Sequence, residues 1–441
     1  MRILIKSLSK STLVAMAILA VAGGLTVAVR AAAPASTVEE PLLSPALVQA
    51  LIDMAQPGQV IVPPPGRYRG PLRVTRPVIL DGQGKVTLDG DGKGSVLWVM
   101  TDGATVRNLR IVNSGDQHPE QDAGIQVRGH ANVIEDNLIE NTLFGFSLEK
   151  SDRNIIRRNR YFGQDLDMPR RGDGIKVWYS NDNEISDNEF NNGRDVVFWY
   201  ASGNKFLRNV ERGGRYGLHV MKSSENLAEG NLFYDNMTGI SLMYDHGDVI
   251  RNNYIVRSTG TVGVCLSLKE SSDVVVENND LMYCGSGIAM DVSPYEPGTK
   301  NHIRGNRIAY NNVGVSFVND WKDSIFTGNL FTGNITEVAV YGGGSAMRNV
   351  WDGNRWDDYQ GFDRAGDGIG DTPHRVYGYA GQVWMDVPNT RFFKGSPLLE
   401  VLDFLDRLAP FSEPTLLLED KRPRLGNDKS FKAGSTLEPK S

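Results

Sequence analysis

The sequence predicts an all-β chain: a right-handed parallel β-helix of about ten or eleven coils, with an N-terminal capping helix and a C-terminal helical and irregular extension. Three observations carry this expectation. One phrase, glycine-apolar-x-apolar, recurs from about residue 124 to 354, as in Gly124-Ile125-Gln126-Val127, Gly174-Ile175-Lys176-Val177, Gly217-Leu218-His219-Val220 and Gly263-Val264-Cys265-Leu266. An asparagine follows each phrase about fourteen residues later (Asn137, Asn188, Asn231 and Asn278 for those four), often with a second five residues before it, as in Asn226/Asn231. Short alternating runs fill the rest, with almost no helical periodicity. A single coil of this kind cannot bury its inner face, whereas stacked coils can, each strand pairing in parallel with its copy about 4.8 Å away. Asparagine suits the corners, because it tolerates left-handed backbone and its amide can bond the asparagines above and below.

In chain order, Arg2, Lys6 and Lys10 precede an apolar run from Leu13 to Val29 and then small residues, the pattern of a cleaved export signal over 1–35. A cap is expected over 36–66, containing a short amphipathic helix, Pro45 to Ala55, with Ser44 placed to cap it. The solenoid proper is expected over 67–356, a C-terminal extension over 357–420 and a disordered, charged tail over 421–441. The net charge of −6 and the dispersed basic residues exclude a nucleic-acid stripe. Cys265 and Cys284, the two cysteines, can form a disulfide or remain buried thiols, and both alternatives stay open.

With a period of two, the residues at +1 and +3 from each glycine face the core and those at +2 and +4 face outward. The outward columns then read Gln126, Ser147, Lys176, Val197, His219, Ser241, Cys265 and Arg128, Glu149, Trp178, Trp199, Met221, Met243, Ser267. Trp178, Trp199, Met221 and Met243 form an apolar ladder on an outward face, which signals a covering segment, a partner or a ligand. With Tyr200 and Tyr244 beside it, the ladder offers a partner-binding surface. Thioether and imidazole together are soft donors suited to Cu(I), which makes His219, Met221, Met243 and, at the next corner, His246 candidate copper ligands. Asp363, Asp367 and Asp371 fall at positions 1, 5 and 9 of an EF-hand-like loop, a weaker calcium candidate that lacks two ligands and equally fits a plain turn.

The runs Gly193-Arg194-Asp195-Val196-Val197-Phe198-Trp199-Tyr200, Gly214-Arg215-Tyr216-Gly217-Leu218-His219-Val220-Met221 and Gly239-Ile240-Ser241-Leu242-Met243-Tyr244 resemble the NosD family of periplasmic maturation proteins of nitrous oxide reductase. So do Gly353-Asn354-Arg355-Trp356-Asp357-Asp358-Tyr359 and Gly366-Asp367-Gly368-Ile369-Gly370-Asp371, and the likeness spans about residues 40 to 415. The resemblance implies a non-enzymatic periplasmic accessory protein. It would act with an ABC transporter ATPase and permease and a copper-donating lipoprotein in assembling the copper-sulfur centre of the reductase. Lys222 stands where that family's pattern often has tyrosine after His-x-Met. The competing readings are a polysaccharide-modifying β-helix enzyme of the epimerase or lyase type, with Asp173, Lys176 and Arg194 as its polar cluster, and a carbohydrate-binding scaffold.

Overall fold

The computed structural model describes residues 41–260, 263–378 and 415–425. The expected export signal, residues 379–414 of the expected C-terminal extension and the chain beyond 425 lie outside the described residues.

The described chain is a parallel β-solenoid of about fourteen turns rather than ten or eleven. One face is a twelve-stranded sheet running from Leu72–Val74 to Thr336–Val340, hereafter the ladder face; twenty-five strands make up the other faces. The additional turns lie at the N-terminal end. There Leu42–Leu43, Gly66–Arg69, Ile79–Asp89 and Thr105–Val112 pair in succession without the glycine-asparagine phrase. Pairing thus begins inside the segment assigned to the cap.

The alternation behaves as expected. Ile125, Val127, Phe146, Leu148, Leu218, Val220, Ile240 and Leu242 all face the core, each such side chain contributing roughly 1.5–3 kcal/mol by leaving water. Helix α1 (Ala46–Met54) sets Val48 and Ile52 on the first coil. It also closes the exposed strand edge: the Gln49 side-chain amide donates to the Arg73 carbonyl (2.8 Å) and accepts from the Arg73 N–H (2.9 Å), standing in for the strand that is absent there. Ser44 is displaced by one residue from its expected role. Pro45 occupies the N-cap, and the Ser44 hydroxyl accepts from Ala46 N–H at 3.3 Å.

At the far end the strand Thr415–Asp420 pairs antiparallel with His374–Gly378 and supplies the last corner. Asp420 is fully buried, and its carboxylate accepts from Gly353 N–H, Asn354 N–H, the Asn354 amide and the Trp356 indole. The chain stays ordered past the expected boundary at 421. Arg422 pairs with Asp352, and Arg424 N–H donates to the Asn354 carbonyl.

Two sequence assignments slip at the same place, the outward columns by two residues and the asparagine by one. Thr238 pairs with Val264 and Ile240 with Leu266, so Cys265 stands opposite Gly239, where other turns place glycine. Cys265 therefore faces inward, not outward, and Ser267 and Lys269 continue the two outward columns. Gly263, in left-handed backbone (φ +53°), is an inserted corner residue that mimics the phrase. The matching asparagine is Asn279, while Asn278 takes a left-handed corner. Cys265 and Cys284 form a disulfide closing this turn on itself.

Candidate functional site

The outward ladder is realised in register. Trp178 pairs with Trp199, Trp199 with Met221 and Met221 with Met243, so the four side chains occupy successive strands of the ladder face. All four are half-buried. The ladder is bounded by the Arg128–Glu149 ion pair (3.0 Å) on the N-terminal side and by Lys269 on the other. Beside it runs a corner column in which Tyr179, Tyr200, Lys222 and Tyr244 all adopt left-handed backbone. Side chains with a Cβ rarely take that conformation, and here the stacked turns impose it. Tyr179 and Tyr200 stack face to face (4.8 Å), and Lys222 Nζ lies over the Tyr200 ring and 3.2 Å from its hydroxyl. The Lys222 ammonium is thus engaged by Tyr200.

Met221 and Met243, on adjacent strands, lie about one strand spacing, ~4.8 Å, apart in the backbone. His219 lies two residues before Met221 on the same side, in register with Val197 and Ser241. Its ring lies tilted against that of Tyr216 (4.7 Å), which in turn lies under the Arg215 guanidinium (4.7 Å). Burial pulls the His219 pKa below its usual value; Asp195 opposes this and Arg215 and Arg194 add to it. The imidazole is therefore neutral near pH 7, and its Nε2 is buried without a hydrogen-bond partner. A neutral imidazole with an orphaned nitrogen beside two thioethers fits a soft monovalent cation. His246 sits at the following corner and faces Glu296 (3.0 Å) and Asp273 (3.7 Å) on later turns.

Next to the ladder runs an ion chain only partly visible in the sequence. Arg194 reaches back one turn to Asp173 (2.9 Å) and also approaches Asp195 (3.7 Å); Arg215 reaches back to Asp195, donating from Nε at 3.0 Å. Asp173 is 3% exposed, and burial pushes it up to about 6, with Arg194 opposing and Asp195 adding. Lys176 lies over the Trp178 ring (4.9 Å), and burial lowers its pKa. Asp173, Lys176 and Arg194 are thus brought to one face, but the Asp173 carboxylate is closed off by Arg194. The sequence reading missed Arg215, Tyr216 and Glu211 here.

At the C-terminal loop, Asp363 accepts from the backbone amides of Gly366 (2.6 Å), Asp367 (3.2 Å) and Gly368 (2.7 Å). Asp367 accepts from Ile369 and Asp371 from Arg364. These carboxylates hold the turn. Among the described residues no group of three or more His, Cys, Asp or Glu side chains is arranged to hold a metal ion.

Fold and surface together define a parallel β-helix that carries an aromatic and soft-donor ridge on one face. Residues 160–361, which contain the whole ridge, match the family described as "Periplasmic copper-binding protein (NosD)". The chain is similar to the "Probable ABC transporter binding protein NosD" of Pseudomonas aeruginosa, with 29% identity over 78% of this chain and 83% of that protein. A protein of the same description from Stutzerimonas stutzeri is 25% identical over 79% and 82%. Among solved structures, the A-module of mannuronan C-5 epimerase AlgE6 from Azotobacter vinelandii covers 70% of this chain and 96% of its own (TM-score 0.58, 18% identity). The catalytic unit of a GH87 alpha-1,3-glucanase from Streptomyces thermodiastaticus covers 74% and 70% (TM-score 0.52, 17% identity). At these identities the two structures speak to the fold alone. Among the described residues no helix is long and apolar enough to cross a membrane.

Proposed function

We propose that the protein is a periplasmic accessory factor that handles copper, with an ABC transporter, during maturation of the copper-sulfur centre of nitrous oxide reductase. The observation that carries this reading is the in-register ladder Trp178, Trp199, Met221 and Met243 with the neutral, orphaned His219 at its side. Copper is cargo here, held as Cu(I) by Met221 and Met243 with His219 able to join them. Trp178, Trp199, Tyr200 and Tyr244 form the surrounding contact for the transporter permease, a copper-donating lipoprotein or the reductase. The accessory role is non-enzymatic: Asp173 and Asp195, buried acids beside the ladder of the kind a sugar-modifying enzyme would need, are paired with Arg194 and Arg215.

The test is a competition titration of the mature protein with Cu(I) against a chromogenic chelator. It is repeated with Met221→Ala/Met243→Ala and with His219→Ala. One Cu(I) per chain is expected, lost in the double methionine variant and weakened about tenfold or more in the histidine variant. Equal binding in all three would remove the ridge from copper handling.

A further inference from the structure

Glu211 is a buried acid that takes no part in the ladder or its ion pairs. The innermost column of the turns reads Ile139, Tyr161, Phe190, Glu211, Phe233, Ile255. Every member but Glu211 is apolar or aromatic. Glu211 is 2% exposed, and its Oε2 has no hydrogen-bond partner. Its other oxygen lies against Gly214, where an added Cβ would come within 2.7 Å of Oε1. At the same corner the Asn236 side chain accepts from Gly214 N–H (2.8 Å), while its own amide nitrogen is buried and unpartnered. An orphan acceptor and an orphan donor therefore sit beneath the segment that leads into the strand of His219 and Met221.

We infer that Glu211 carries a proton in the folded protein, and that its ionisation loosens Gly213–Tyr216 and so displaces the strand bearing His219 and Met221. A carboxylate there would be stranded between Phe190 and Phe233, with no cation against it, and isolated buried charge is strongly disfavoured. The groups facing it are Asn236 and Gly214 at the corner and Asp195 across it. Arg194 and Arg215 are both engaged by Asp195 and do not compensate Glu211. Burial holds the Glu211 carboxyl well above its usual range, with the Asn236 side-chain amide opposing and the Asp195 charge adding to it. The proton leaves to solvent as the pH rises, and the negative charge can be relieved only by drawing water into the corner under Gly214. The device is independent of the copper reading, since it needs no metal.

The test follows the Gly214 backbone amide and the Tyr216 ring by NMR from pH 5 to pH 9 in the metal-free mature chain and in Glu211→Gln. Wild type should show a one-proton transition in both signals, and the variant should lose it. Glu211→Leu, a volume-compatible apolar replacement, serves if the glutamine variant folds poorly; its thermal midpoint should exceed wild type at pH 8 by more than at pH 5. Identical Gly214 titration in wild type and variant would overturn the proposal. So would a leucine variant whose advantage does not change with pH.

Discussion

Two corners of this solenoid are built from asparagine, and only one is unbroken. On the corner remote from the ladder face, ten asparagines from Asn137 to Asn354 each donate from N–H and side-chain amide to the next oxygen, and Asp420 ends the series. On the corner that borders the ladder face, Asn132, Asn154, Asn183, Asn204 and Asn226 run in the same way, but the next positions are Asp248 and Val274. Asp248 accepts from Asn226 but has no side-chain amide to pass the ladder onward; its Oδ2 is buried without a partner. The break falls one turn after Met221, where the register slips at Gly263 and the disulfide closes the turn. Repetition is kept on the corner remote from the ladder face, and relaxed on the corner that borders it.

The largest expected effect separates the two corners. Asn231→Ala removes the acceptor for the Asn209 N–H and amide and the donor to the Phe206 carbonyl and Asn253, leaving several buried groups unpaired. It should cost about 4 kcal/mol in urea unfolding, against about 2 kcal/mol for Asn226→Ala, whose side chain accepts from Asn204 and donates to Asp248 alone. Equal losses would mean that the break is not a weak point. Next, Cys265→Ala/Cys284→Ala, which opens a loop of sequence separation 19, should cost about 3 kcal/mol in the same experiment; a loss near zero would mean the turn is held without the bridge.

Asp248→Asn mends one rung and should stabilise by about 1–2 kcal/mol at pH 8. Its pH dependence has a definite sign. Burial raises the folded pKa of Asp248 to about 7 from its ordinary 3.8, so the native state holds a proton that the unfolded chain has released. Wild type therefore loses stability as pH climbs through that window, and the advantage of the asparagine variant should shrink toward pH 4. An advantage that grows on acidification would refute the assignment. The smallest effect belongs to the ridge: Met221→Ala/Met243→Ala, on half-buried outward positions, should change stability by less than about 1 kcal/mol per site.

Much of this was legible in the sequence, and the reasons are physical. A side chain that must repeat once per turn leaves a period, so the asparagine corner, the inward pairs such as Leu218/Val220 and the ladder from Trp178 to Met243 could all be read directly. The span of the N-terminal turns from residue 67 was legible but their number was not, because their corners use other residues. The slip at Gly263 was hidden because an inserted glycine reproduces the phrase while Cys265 takes the glycine's place. Glu211 was readable in principle: it stands 21 residues after Phe190 and 22 before Phe233, a charge in an apolar column. Nothing local marks Tyr200 or Lys222 as left-handed, since the stacked turns alone force that backbone.

The most direct measurement is X-ray absorption at the copper edge on protein loaded with one equivalent of Cu(I). Two sulfur scatterers per copper are expected in wild type, one in Met243→Ala, with a nitrogen contribution that falls in His219→Ala. A spectrum with only nitrogen and oxygen scatterers, or a sulfur count unchanged by removing both methionines, would contradict the assignment of the ridge as the copper surface.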